Sequence, residues 1–276
     1  MSTINITPTI NVAMTSYPKR INNCVGVINS LLENTVLPDR IYLTLAHSEF
    51  PNWEDDLPKD LYHLIMTSNR VILNWVEENT KSFKKVFPIL QYLVDDDFII
   101  PCDDDMLLPK DFIEARLKDF HAHNDEHPIT SNICKTINMD NMVFTVYSLI
   151  QKKMLNGWEK FVNNTVKNTC NDDRTYLYLC HLNGYRLVPC SRYCYTQGDT
   201  HGIEKLPIAP RSGYTYAIGP KYDEIVRPIL HSLSNGRDIR DCFGLFKETP
   251  QEKETKVDKK VEKDAKQLLL EQKSGI

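Results

Sequence analysis

The chain has 276 residues, of which 41% are hydrophobic and 25% charged, and its formal net charge is −4. That is enough apolar material for one large or two small globular domains. The charge balance argues against a polyanion-binding protein, which needs a basic surface excess, and no uninterrupted apolar run approaches the length of a membrane span.

The first ten residues, MSTINITPTI, carry neither a basic segment nor a long apolar core, so no secretory signal is expected. The eight cysteines are scattered, and the expectation is reduced, mostly buried thiols in a cytoplasmic protein. Cys190 and Cys194 form a CxxxC pair, but no second pair at zinc-finger spacing accompanies it, and a structural zinc is not expected.

In chain order, residues 10–14 form an apolar run that ends in the polar turn Thr15-Ser16-Tyr17-Pro18. Ile21, Val25, Ile28 and Leu32 then recur at helical spacing, closed by Asn34 and Pro38. Residues 40–46 read as a second strand, Leu61, Leu64 and Ile65 mark a second helix, and residues 71–73 a third strand. Residues 83–93 read as a third helix with Pro88 near its middle, where a kink or an early start is expected. Residues 98–100 are a fourth strand. This βαβαβαβ order predicts a parallel sheet with helices on both faces.

Beyond it the alternation fades. Residues 129–137 and 142–150 look like strands joined by a turn at 138–141, and residues 172–183 like a helix with Gly184 at its left-handed C-cap. Short strands are expected at 185–188 and 193–195, and a long loop at 197–214. From about residue 247 the chain is rich in Lys, Glu and Asp, with Val257, Val261, Ala265 and Leu268 or Leu269 three to four apart. This segment can be a solvated tail or an amphipathic helix. Such a helix would dock on the body, on a second protomer as a homodimer contact, or at most peripherally on the inner face of the cytoplasmic membrane.

The chemistry concentrates in "FIIPCDDDMLLP", residues 98–109. In an open parallel sheet, ligands bind at the carboxyl ends of the strands, and this run delivers Asp103, Asp104 and Asp105 to that edge. If the segment stays extended, Asp103 and Asp105 face one spot. Two carboxylates converging there repel unless a cation lies between them, and an all-oxygen ligand set suits Mg²⁺ or Mn²⁺ with phosphates completing the shell. Asp95-Asp96-Asp97, just upstream, reads instead as a solvated surface turn.

At this point the sequence resembles the GT-A fold glycosyltransferases, close to their family 2 type, over roughly residues 9–205. The stretches that carry the resemblance are "VAMTSYPKRI", "LLENTVLPDRIYLTLA", "KSFKKVFPIL", "FIIPCDDDMLLPKDFI" and "NDDRTYLYLCHLNGYRLV". It implies one GT-A domain over residues 1–215, with a Rossmann-like nucleotide-sugar-binding half at about 9–125 and an acceptor half at about 126–215. Residues 216–276 would form a C-terminal extension. It further implies that Asp105 holds the ion on the diphosphate, while Asp103 or Asp104 binds the ribose or helps hold that ion. Thr15, Ser16, Tyr17 and Arg20 would line the nucleotide pocket. Lys84 and Lys85 would lie near the diphosphate, their alternative being a solvated helix face. His201 in "QGDTHGIEKLP", with Asp199 nearby, is the candidate third metal ligand, its alternative being an ordinary surface residue of the loop.

An inverting transfer needs a general base near the acceptor hydroxyl. In the resemblance that role falls to the second member of an acidic pair at a helix start, here Asp173, with Asp172 as the alternate; either can also be a helix cap. The implied function is sugar transfer from a nucleotide-sugar, UDP-linked by preference, to a glycan or glycolipid hydroxyl. Synthesis of a bacterial capsule, lipooligosaccharide or O-antigen is the expected setting. Loop 197–214 would close over the donor and exclude water. The acceptor region, with only Gly157 in "NMDNMVFTVYSLIQKKMLNGW", departs from the glycine-rich pattern usual there; Tyr147 and Trp158 could stack on a sugar ring or belong to the core. A nucleotidyltransferase remains an alternative, although "AMTSYPKRI" lacks the glycine-rich loop it would use. A catalytically inactive binding module is a second, and would lack a complete carboxylate set.

Overall fold

The computed structural model describes residues 7–130, 147–159, 172–185, 188–192 and 204–205. The first half follows the predicted alternation. Strand β1 (Ile10–Thr15) leads through a single 3₁₀ turn (Ile21–Asn23) into helix α1 (Cys24–Leu32). Then come β2 (Arg40–Ala46), α2 (Lys59–Thr67), β3 (Val71–Val76) and β4 (Phe98–Cys102). The strand order is β3-β2-β1-β4-β7, where β7 is Ile150–Gln151. Every pair is parallel except β4 with β7. Two smaller pairings stand apart from this sheet. The short strand β5 (Met106–Leu107) runs antiparallel to β9 (Glu204–Lys205), and β6 (Ile129–Thr130) runs parallel to β8 (Val188–Pro189).

The central strands are apolar on both faces because both faces are covered, and Val12, Ala13, Met14, Ile99 and Ile100 have no exposed surface. Pro101 lies inside β4, where a missing N–H would normally break a ladder. It is tolerated because β7 pairs only with Phe98 and Ile99, so Pro101 falls past the last rung on that side. Asn11, buried in β1, donates from Nδ2 to Thr9 O and Oγ1 and to Phe98 O, which locks the start of β1 onto β4.

Two expectations are corrected here. Residues 83–93 are not one helix but two 3₁₀ segments, Lys81–Lys85 and Phe87–Tyr92, divided at Val86. Pro88 lacks the N–H a continuous helix requires and instead starts the second segment. The turn 95–97 is not wholly solvated either. Asp97 is buried and accepts hydrogen bonds from Thr9 N (2.7 Å), Thr9 Oγ1 (2.8 Å) and Val94 N (2.9 Å), tying β4's lead-in to β1. Asp95 and Asp96 do face solvent.

Helix α3 (Phe112–Ala122) follows the acidic turn, and helix α4 (Asp172–Leu182) lies in the described part of the second half. Gly184 has φ +85°, and Tyr185 N–H donates to Cys180 O at 2.9 Å, the hydrogen bond of a left-handed helix stop, as the glycine's position predicted. Leu149 bridges Ile129 in antiparallel sense, as the expected strand pair requires, but the turn between them lies outside the described residues. So do the strand expected at 193–195, most of the loop expected at 197–214, and the whole region 216–276. Among the described residues no helix is long and apolar enough to cross a membrane.

Cys24, Cys102, Cys180 and Cys190 are buried thiols, and burial pushes their pKa up, that of Cys190 to about 12. Cys194, its CxxxC neighbour, is outside the described residues.

Candidate active site

The chain runs from β1 outward through β2 to β3, then returns to place β4 on the other side of β1. The β1/β4 boundary is therefore the topological switch point, where an open α/β sheet leaves a crevice at the strands' carboxyl ends. β1 and β4 end together there, their last paired residues being Met14 and Cys102. The residues that follow each strand, Thr15 to Arg20 and Asp103 to Asp105, meet across the crevice.

Thr15 turns back into the sheet, its Oγ1–H donating to Thr44 O at 2.7 Å. Ser16 is buried and donates from Oγ to Asp104 Oδ2 at 2.5 Å. Tyr17 supplies a carbonyl that accepts from Arg20 N (2.9 Å) and Ile21 N (3.0 Å), folding the turn so that the Arg20 guanidinium comes over the Tyr17 ring, 5.9 Å from its centroid. Nη2 of Arg20 pairs with Asp104 and lies 3.0 Å from Asp105 Oδ2.

The extended geometry expected for the acidic run does not hold. The backbone turns at Asp104-Asp105, so Asp103 and Asp105 do not face one spot. Asp104 and Asp105 face Arg20, while Asp103 reaches the other way to Lys85 Nζ at 2.7 Å. Asp104 is the most enclosed of the three, and burial raises its carboxyl to about 6 against the opposing pull of Arg20 and Ser16.

Lys84 and Lys85 are both only 3% exposed, not on a solvated helix face. The broken 3₁₀ geometry turns both inward. Lys84 pairs with Glu49 and donates to Asn79 Oδ1 at 3.1 Å, and burial lowers its pKa despite Glu49. It thus braces the loop after β2 rather than the acidic turn. Lys85 does the joining: besides Asp103, its Nζ lies 3.5 Å from Asp172 Oδ2. Asp172 opens α4 and is buried, so one ammonium links the acidic turn to the helix carrying the candidate base. The side chain of Asp173 is outside the described residues, as are His201 and Asp199.

Tyr147 and Trp158 take part in packing. Tyr147 is buried edge-on to Phe112, and Trp158 stacks on Phe87 at 5.7 Å. Three features lay beyond sequence reasoning. Glu49 is one, since nothing local marks it as the partner of a lysine 35 residues away. Arg116 is another: fully buried in α3, it donates to Tyr147 O at 2.5 Å and to Phe112 O at 3.1 Å. The third is an aromatic group after β2 and at the end of β3. There the His47 ring lies 3.7 Å from Trp53 and 5.0 Å from Trp75, and Trp75 Nε1–H donates to Glu54 Oε1 at 3.0 Å.

No protein-family model matches this sequence, and no curated protein matches it significantly. Solved structures do resemble it. S. aureus TarS aligns with a TM-score of 0.50 at 11% identity, over 86% of this chain and 42% of that one. TarS 1-349 in complex with UDP-GlcNAc aligns at 0.48 and 10% identity, over 80% and 65%, and the same segment in complex with UDP at 0.43 and 10%, over 66% and 58%. This chain spans less than two thirds of the length of each of these structures. At such identity the likeness concerns the fold alone, and the fold is the GT-A type: a mostly parallel five-stranded sheet flanked by helices.

Proposed function

We propose that the chain is a glycosyltransferase that moves a sugar from a nucleotide-sugar donor to a hydroxyl of a glycan or glycolipid acceptor. The observation that carries this reading is the continuous set of contacts at the switch point, Ser16–Asp104–Arg20–Asp105 on one side and Asp103–Lys85–Asp172 on the other. It combines carboxylates for a cation, a half-buried and a buried basic group for a diphosphate, and a carboxylate at the start of α4. A GT-A sheet is a scaffold on which such a set serves sugar transfer, although a fold alone does not specify chemistry.

The donor set fits a divalent ion. Asp103 to Asp105 offer oxygen only, as Mg²⁺ or Mn²⁺ prefers. Among the described residues no group of three or more His, Cys, Asp or Glu side chains could hold an ion alone, and Mg²⁺ commonly takes one or two carboxylates and leaves the rest of its shell to substrate phosphates and water. Asp105 would hold it with the help of Asp104, which faces the same guanidinium, rather than of Asp103, which pairs with Lys85, and His201 is the proposed third ligand. When bound, the ion neutralises charge on the departing diphosphate.

The chain's own groups do the remainder. Ser16 orients the Asp104 carboxylate, and Tyr17 and Arg20 line the nucleotide side. Lys85 holds Asp172 beside the donor site. Asp173, the residue after the Asp172 that lies 3.5 Å from Lys85, is proposed to take the proton from the acceptor hydroxyl, with Asp172 as alternate. Attack from the face opposite the leaving diphosphate then inverts the anomeric centre.

UDP is the first nucleotide to test, since TarS, the protein of like fold, has been crystallised with UDP and UDP-GlcNAc. Calorimetric titration with UDP, GDP and CMP, each with Mn²⁺ and with EDTA, tests the reading, with Asp105→Ala as the variant. Binding of one nucleotide that requires the ion and is lost in the variant supports it. Absence of binding by every nucleotide under both conditions refutes it.

A further inference from the structure

Arg20 engages the carboxylates through one nitrogen and keeps a buried donor open. Its Nη2 pairs with Asp104 and lies 3.0 Å from Asp105 Oδ2, while its Nε–H is buried with no hydrogen-bond partner among the described residues. A buried guanidinium N–H is costly to leave open, so such a donor calls for a ligand or a water. The open donor lies beside Asp104 and Asp105, the carboxylates that the proposed function assigns to a cation carrying a diphosphate.

Resting on that reading, we propose that Arg20 is an exchangeable counter-cation: in the free protein it pairs with Asp104 and Asp105, and on donor binding it passes from these carboxylates to the diphosphate as the divalent ion takes its place. Three physical points favour the exchange. A hard ion needs carboxylate oxygens at about 2.0–2.1 Å, so it and the guanidinium compete for the same lone pairs. Phosphate is the other strong partner of a guanidinium, which it can engage through two parallel N–H bonds. The main chain need not move: Arg20 N stays on Tyr17 O at 2.9 Å while the side chain swings about its own torsions.

Lys85 makes a useful contrast. Its ammonium lies between Asp103 on one element and Asp172 on another, so leaving its place would strand the buried Asp172. Arg20 serves two adjacent residues of a single turn, and one incoming ion can relieve both. The consequence is an order of binding. The ion alone must displace Arg20 with no anion to receive it, so it binds weakly. Ion and diphosphate together satisfy every group, so they bind cooperatively, and that coupling is reciprocal.

The test uses the full chain as wild type, Arg20→Gln and Arg20→Lys, with thermal unfolding followed by circular dichroism as the folding control. Free Mn²⁺ is measured by electron paramagnetic resonance during titration without nucleotide. UDP, GDP and CDP are then titrated calorimetrically with and without Mn²⁺. The expected result is Mn²⁺ binding about tenfold tighter in Arg20→Gln than in wild type, with the Mn²⁺–nucleotide coupling reduced by about tenfold. Arg20→Lys, which keeps the charge but loses the planar fork, should retain weak binding of Mn²⁺ alone and still lose coupling. Mn²⁺ binding that is equal or weaker in Arg20→Gln, including none in either protein, overturns the proposal, and so does undiminished coupling. If Arg20→Gln gains Mn²⁺ affinity but no nucleotide binds any form, the counter-cation role stands and the nucleotide-sugar reading is the one that fails.

Discussion

Replacing Lys85 by methionine removes the ammonium and leaves most of the side-chain volume. In the structure that ammonium is 2.7 Å from Asp103 and 3.5 Å from Asp172. At an effective dielectric of about 20 the attraction at these distances is about 6 and about 5 kcal/mol. Most of it offsets the desolvation of a lysine only 3% exposed. Asp103, with 41% of its side chain exposed, regains water when Lys85 is lost, so its share shrinks to that of a surface pair. Asp172 stays buried and is left as an uncompensated charge. The expected net loss is about 2–3 kcal/mol, below the full cost of breaking a completely buried pair. Urea unfolding monitored by tryptophan fluorescence measures it. A double-mutant cycle with Asp172→Asn isolates the pair, and its coupling should be about 1–2 kcal/mol. A loss under about 0.5 kcal/mol with no coupling would refute the electrostatic link between the acidic turn and helix α4.

Asp104 offers a pH test. Its folded pKa, about 6, lies above the ordinary carboxylate value of 3.8, so the folded state binds the proton more tightly than the unfolded. Its contribution to stability therefore falls as pH rises from about 4 to about 6, and urea midpoints for Asp104→Asn should be flatter than wild type across that window. Asp97→Ala removes the acceptor for three hydrogen bonds and strands buried donors, at a cost of about 2–3 kcal/mol in chemical denaturation, without changing nucleotide affinity per folded molecule. Gly184→Ala meets no atom within 4 Å, so its penalty comes from φ +85° alone, about 1 kcal/mol, read as a lowered Tm.

Particular residues show why some features were legible in advance and others were not. The apolar runs of β1, β2 and β4 announced themselves because a strand covered on both faces must be apolar throughout. Gly184 was readable because only glycine takes a left-handed stop without strain. Residues 83–93 misled because their apolar spacing is compatible with a helix, whereas the backbone around Pro88 is not. Asp97 misled because an acidic triplet before a strand looks solvated, and only the approach of Thr9 gives its carboxylate buried donors.

The sequence by itself determined the order of β1 to β4 with α1 and α2 between the first three, and the arrival of three aspartates at a strand end. Both follow from local periodicity and the chain's punctuation. Which cation each aspartate meets was decided only in three dimensions. Asp104 meets Ser16 from 88 positions away, Asp103 meets Lys85 from 18, and a turn after Cys102 sends Asp105 toward Arg20 rather than alongside Asp103. Periodicity reports which face of an element is buried. Ion pairing depends on the direction of a turn and on the packing of distant elements, and neither leaves a local trace in the chain.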